Sequence, residues 1–272
     1  MKKLLLASLI TFSSALTFAA SPTTTKDTTF AQIEENLASN NFTAAYHDLD
    51  RLAKTGNAKA IYGLGLLTGQ GQGIAKDEAK AVKLFEQSAN LNYAPAQYAL
   101  GYAYLSGQLG LKADRVKAKG FLEKAAKQLD EAGIDLAMLL LTEPQSDAQQ
   151  KGMKILDGLI QKQNPKAVYT KAMYQISLGV NNKSEATVQT GLDTLSNLAE
   201  RNYIPALMAV ARIMAEGQLV NQDLGAAQKI FNELANNQVP AAAEALKEVN
   251  QMISKQAQNI TPTKATASKK SS

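Results

Sequence analysis

The chain has 272 residues, 45% of them hydrophobic and 6% aromatic, with no cysteine and no tryptophan. Zero cysteine removes disulfides, thiol catalysis and thiolate metal sites together, while the apolar content is enough for a substantial core of small and aliphatic side chains. The net charge of +5 comes from the ends: with Lys2, Lys3, Lys264, Lys269 and Lys270 set aside, 24 basic residues face 24 acidic ones between Ala20 and Gln258, and a neutral body is not the footprint of a nucleic-acid binder.

Residues 1–19 are expected to be a secretory signal peptide. Lys2 and Lys3 form its charged start, Leu4 to Phe18 its apolar core, and Thr17 and Ala19 are the small residues a signal peptidase requires, with cleavage after Ala19. The apolar core, about 15 residues, is shorter than the ~20 a spanning helix needs, so no stable membrane anchor is expected. The product is expected to be exported, to a periplasm or to the medium. Residues 20–28 (ASPTTTKDT) are a polar, Thr-rich linker with too little apolar content to order.

Residues 29–57 are expected to form a diverged helical pair. Phe30, Ile33 and Leu37 give a helix to Ser39, Asn40 and Asn41 a turn, and Phe42 to Lys54 a second helix. Repetition then becomes explicit. Ala94, Ala96, Tyr98, Leu100, Gly101 and Gly107 match Ala58, Ala60, Tyr62, Leu64, Gly65 and Gly71 at an offset of 36 residues. In the following helix Asp114, Ala118, Leu122 and Ala126 fall on Asp77, Ala81, Phe85 and Ala89 at an offset of 37. Each unit is thus a helix, a glycine-marked turn and a second helix, and neither helix alone can shield so wide an apolar face.

Residues 131–164 keep helical spacing in Leu136, Leu139, Leu140 and in Ile155, Leu156, Leu159, but replace the glycine turn with Glu143 to Asp147, as in a shortened unit. Residues 165–203 are expected to lengthen the turn instead, with Asn181 to Ser184 at its tip. Residues 204–238 return to type, with Gly217 at the turn and Asp223 ahead of the second helix. Pro240 is expected to open a last, capping helix from Ala241 to about Ala257 within residues 239–257, and residues 258–272 form a Lys/Ser/Thr tail without apolar periodicity. Pro95, Pro165, Pro205 and Pro240 keep phase with the units, and proline suits a first helical turn, where its missing N–H has no partner to lose.

The pattern A-x-A-x-Y-x-L-G, a glycine-rich turn, Asp, A-K-A and A-A resembles the Sel-one-like repeat (SLR), a relative of the tetratricopeptide repeats. The likeness is strongest over 58–93 and 94–130, fair over 204–238, weaker over 165–203 and poor over 131–164. It implies an all-α, right-handed solenoid of helical hairpins, here closed by the C-terminal capping helix, with a protein- or peptide-binding role; the residues themselves offer no cofactor, metal or catalytic site, and none is expected. The absent cysteines set the chain apart from members of that family that staple each hairpin with a disulfide.

Position-specific expectations follow. Gly65, Gly101, Ala172 and Ala211 share a slot where the two helices of a pair cross, and small residues let axes approach toward ~8 Å. Asp77, Asp114 and Asp223 sit where a carboxylate caps free N–H groups. Gly69-Gln70-Gly71-Gln72-Gly73 looks like a phosphate loop, but such a loop follows a strand, and here a helix precedes it; it reads as a turn. His47 is the only histidine and reads as a solvated helix residue without a nucleophile and orienting acid around it. Glu34 and Glu35, adjacent on a helix, do not face each other. The tail lysines read as solubilising rather than as a surface anchor, which takes larger basic clusters.

In tetratricopeptide-like solenoids the first helices line an inner groove, so the resemblance points to Tyr102 and its equivalents Leu66, Met173 and Arg212 on other first helices as partner-binding residues. Aromatic, Met and Arg side chains favour interfaces; the competing reading packs them between repeats. The expected function is a monomeric, exported scaffold for a protein or peptide partner. The alternatives are a cell-wall or envelope hydrolase or enzyme modulator, which would need acid/base groups converging in one cleft, and a secreted effector acting on a host.

Overall fold

The computed structural model describes residues 28–260, all of whose regular structure is helical. The proposed signal peptide, the linker up to residue 27 and the tail lysines lie outside the described residues. The helices are α1 (Thr28–Ala38), α2 (Phe42–Ala53), α3 (Ala58–Gln70), α4 (Glu78–Asn90), α5 (Ala94–Ser106), α6 (Arg115–Ala125), α7 (Asp130–Leu141), α8 (Ser146–Gln161), α9 (Pro165–Asn182), α10 (Glu185–Glu200), α11 (Ile204–Glu216), α12 (Leu224–Asn236) and α13 (Ala242–Ile260). Each packs chiefly on its neighbours in sequence, the densest contacts lying within the hairpins α3/α4, α5/α6, α7/α8 and α9/α10. The molecule is therefore a solenoid, in which each hairpin buries its apolar face against the hairpins beside it.

The core is a series of local clusters, each shared by consecutive helices. Ala81, Phe85, Ala96 and Leu100 form one, Leu122, Ala132, Leu136 and Leu139 the next, and Ala172, Ile176, Leu195 and Ala206 a later one. The small slot does what its residue types suggest. A Cβ on Gly65 would lie 2.6 Å from the Phe85 ring, and one on Gly101 would lie 3.0 Å from Leu122; Ala172 and Ala211 are fully buried. Glycine costs a helix interior about 0.5–1 kcal/mol against alanine, and the close approach of the second helix offsets it.

The turns repeat as closely as the helices. Gly71, Gly107 and Gly217 end α3, α5 and α11 in the left-handed conformation, with φ of 72°, 70° and 66°. After each, an aspartate caps the second helix: Asp77 accepts from the N–H of Lys80, Asp114 from those of Val116 and Lys117, and Asp223 from that of Ala226. Each such cap contributes about 1 kcal/mol. The same three aspartates close the turn from the other side, their own N–H groups donating to the carbonyls of Thr68, Tyr104 and Met214.

Three local expectations are corrected. The hairpin 165–203 does not lengthen its turn. α9 runs through Asn181 and Asn182, leaving Lys183 (φ 54°) and Ser184 as the turn, so the extra residues extend the helices. Pro240 does not open the last helix. Ala241 takes a φ of 64°, and α13 starts at Ala242 and continues to Ile260. Pro95, Pro165 and Pro205 do lie in the first turns of α5, α9 and α11. Finally, α1 begins at Thr28, inside the stretch read as linker.

Candidate functional site

The first helices α3, α5 and α7 bury most of their circumference, whereas α9 and α11 bury a narrower face. On α5, Ala96, Gln97, Leu100, Gly101, Ala103 and Tyr104 are buried, while Pro95, Tyr98, Ala99, Tyr102 and Ser106 keep access to solvent. Those accessible residues recur at three and four positions, so they form one stripe along the helix. Tyr102 lies in that stripe. Leu66 holds the equivalent place on α3, half-buried against the cluster around Phe85 and Leu100. Met173 on α9 is half-buried against the cluster around Ile176 and Leu195, and Arg212 on α11 is exposed.

Sequence reasoning passed over one member of this row. Ala132 and Ala137 on α7 stand 36 residues after Ala96 and Gly101. Ala137 plays the crossing-slot role: a Cβ on Gly152 of α8 would lie 2.9 Å from its carbonyl oxygen. Met138 is therefore the α7 counterpart of Tyr102, and it too is half-buried. The missing glycine turn hid the register; the spacing of the two alanines was the signal that carried it. The row then reads Leu66, Tyr102, Met138, Met173, Arg212, one residue from each of α3, α5, α7, α9 and α11.

Polar groups flank it. The Tyr98 hydroxyl on α5 donates to Asp135 Oδ2 on α7 at 2.8 Å. Burial pushes the Asp135 carboxyl above the usual carboxylate range; the Tyr98 hydrogen bond and the charge of Lys166 oppose that rise, and Glu131 adds to it. Burial, with the negative charge of Asp135, pushes the Tyr98 phenol up strongly. Nearer the N-terminus, burial beside Tyr93 pushes Tyr62 up to about 12. On α9, burial raises Tyr169 and the positive charge of Arg212 acts the other way. The Tyr169 and Tyr203 rings meet edge to face with centroids 6.0 Å apart. The stripe is thus an apolar and phenolic surface with acidic groups near its middle and a guanidinium toward its C-terminal end.

The other candidates sit apart from it. The Gly69–Gly73 segment is the end of α3 and the turn that follows it, and the N-terminus of α4 beyond is occupied by the Asp77 side chain, with a Lys76–Glu78 ion pair at 2.7 Å alongside. A phosphate would meet two carboxylates there. His47 is exposed, its ring against that of Tyr46. Glu34 and Glu35 are both exposed, Glu34 pairing with Lys59 at 3.6 Å. Among the described residues no group of three or more His, Cys, Asp and Glu side chains is placed to hold a metal ion, and no helix is long and apolar enough to cross a membrane.

Comparison with known proteins agrees with this architecture. Residues 58–93 and 94–128 match the Sel1 repeat model, and Sel1 repeats are in general protein-interaction scaffolds. No curated protein matches the chain. Among solved structures, a Sel1 repeat protein from Oxalobacter formigenes superposes with a TM-score of 0.61 at 17% identity, over 83% of this chain and 99% of that one. A protective antigen present in uropathogenic Escherichia coli strains, displaying an SLR fold, superposes with a TM-score of 0.58 at 19% identity over 85% of this chain. The match spans 54% of that antigen's own length. At these identities the likeness is one of fold.

Proposed function

We propose that this protein is an exported, non-catalytic scaffold that binds a protein or extended peptide along the accessible stripe of its first helices. The observation that carries the reading is the row Leu66, Tyr102, Met138, Met173 and Arg212: one residue per hairpin, in register, with access to solvent in every case. Monomeric soluble proteins rarely leave contiguous apolar surface uncovered without a use for it. Tyr, Met and Arg are also the residue types that interfaces favour. Export rests on the lysine-led apolar segment at residues 1–19.

The test is capture from the periplasmic or culture fraction of the source cells, with wild type and the double variant Tyr102→Ala/Arg212→Ala as paired baits. A partner retained by wild type and lost by the variant is the expected result. Identical retention by both would place binding elsewhere on the surface.

A further inference from the structure

One position carries different side chains in successive hairpins, and in the first of them a ring is missing. Tyr104 on α5 is buried, its ring stacked on that of Phe121 with centroids 5.8 Å apart, and the Lys117 ammonium lies 5.0 Å from the Tyr104 centroid. One unit earlier, at the same offsets of 36 and 37, the counterparts are Thr68, Leu84 and Lys80. The frame around them is kept. Asp77 and Asp114 cap α4 and α6, and their N–H groups donate to the carbonyls of Thr68 and Tyr104. With threonine in place of tyrosine, an open depression of about 610 Å³ lies beside the turn between α3 and α4, lined by Thr68, Ile74, Ala75 and Lys80 among others. Lys80 also donates to the Tyr46 hydroxyl on α2 at 3.2 Å, but Tyr46 does not line the depression.

The lining holds an unmet hydrogen bond. Thr68 is fully buried and its hydroxyl has no partner. Other helical threonines return the hydroxyl to the carbonyl four residues back, as Thr170 does to Lys166, Thr190 to Ala186 and Thr194 to Thr190. A buried hydroxyl left unpaired is costly, and folded proteins keep few. Asp77 and Glu78 also line the depression and select against an anion. Both are engaged, Asp77 with the N–H of Lys80 and Glu78 with Lys76 at 2.7 Å. What remains on offer is the apolar surface of Ile74 and Ala75, a lysine ammonium and one free hydroxyl. An ammonium within about 6 Å of a ring centroid is drawn to the ring face. A phenol joins such a ring to a hydroxyl that both donates and accepts.

We infer that this depression takes a tyrosine side chain of a partner protein, its ring against Ile74, Ala75 and Lys80, as the Tyr104 ring lies by Lys117 one hairpin on, and its hydroxyl paired with that of Thr68. A tyrosine entering from solvent arrives hydroxyl first, which brings the phenolic oxygen toward the buried threonine. The site rests on the reading of the chain as a protein-binding scaffold, but not on the row of first-helix residues.

The test titrates N-acetyl-Gly-Tyr-Gly-amide, its Phe and Leu analogues, and free p-cresol into the full chain, followed by methyl NMR of Thr68, Ile74 and Ala75. The tyrosine peptide is expected to shift these methyls to saturation. The Phe peptide should bind about three- to tenfold more weakly for want of one hydrogen bond, and the Leu peptide should leave the methyls unmoved. Thr68→Val keeps the shape and removes the hydroxyl, and is expected to make Tyr and Phe equal. Thr68→Tyr supplies the missing ring from within, and is expected to abolish the shifts and raise the thermal midpoint. Tyr102→Ala/Arg212→Ala should leave the titration unchanged, so failure of the row and failure of this site are read separately. Methyls unmoved by the tyrosine peptide, or moved as much by the Leu peptide, would overturn the inference. A preference for Tyr over Phe that survives Thr68→Val would overturn the role of the hydroxyl. Saturation by p-cresol without any response to the tyrosine peptide would give the site to free phenols and overturn its assignment to a partner protein.

Discussion

The Tyr98 hydroxyl on α5 donates a 2.8 Å hydrogen bond to Asp135 on α7, tying two first helices together across a repeat boundary. Most contacts in the stack run between neighbours in sequence, so this bond helps set the angle between adjacent hairpins. Tyr98→Phe keeps the ring and leaves a partly buried carboxylate short of a donor. The expected cost is about 1–2 kcal/mol, seen as a lower urea midpoint with an unchanged slope. A midpoint equal to wild type would show that solvent replaces the hydroxyl without loss.

The same pair makes a pH prediction. Asp135 is held above its ordinary value of 3.8, chiefly by burial, so the folded chain keeps this proton more tightly than the unfolded chain. Its contribution to stability is therefore fully present below 3.8 and is lost as pH rises through the raised folded value. Asp135→Asn removes the charge and keeps an acceptor for Tyr98. Relative to wild type, the asparagine variant should gain stability as pH rises from 3.8 through that window and show a constant difference below it. Urea titrations of both proteins across the window measure this; a wild type that gains on the variant with rising pH would mean that Tyr98 and Lys166 outweigh the burial of the charge.

Glycines at helix crossings and glycines facing open space should respond with opposite signs. Gly65→Ala drives a Cβ to 2.6 Å from the buried Phe85 ring and is expected to cost about 1–3 kcal/mol, with Gly101→Leu against Leu122 at the upper end. A Cβ on Gly120 of α6 meets nothing within 4 Å. Gly120→Ala should therefore stabilise by about 0.5–1 kcal/mol, since alanine restricts the unfolded chain and suits a helix interior. Thermal melts of the three variants read the contrast directly.

Export is testable at the N-terminus. The exported chain is expected to begin at Ala20, by intact mass or terminal sequencing of a periplasmic or culture fraction. A full-length chain confined to the cytoplasm would remove the exported part of the proposal.

Much of this architecture could be read from residue spacing, because a repeat writes its packing rules several times over. Gly65 and Gly101, 36 residues apart, are both small for one reason, the approach of a second helix. Asp77, Asp114 and Asp223 each meet the same need, free N–H groups at a helix start. The reading faltered where those markers were absent. Without a glycine turn, nothing after α7 marks its register, and Met138 is not recognisable as the counterpart of Tyr102 from the turn alone. Without a glycine at position 183, the end of α9 carries no marker, since Asn181 and Asn182 suit a loop as well as a helix end.

Alone, then, the order of the residues determined the repeating unit, its helices, its caps and the row of positions that share a face, all of which depend on near neighbours along the chain. The tertiary structure decided which groups meet between hairpins: Tyr98 with Asp135 and Tyr169 with Tyr203. Those encounters depend on how far one hairpin rotates against the next, a quantity summed over many small contacts and carried by no single motif.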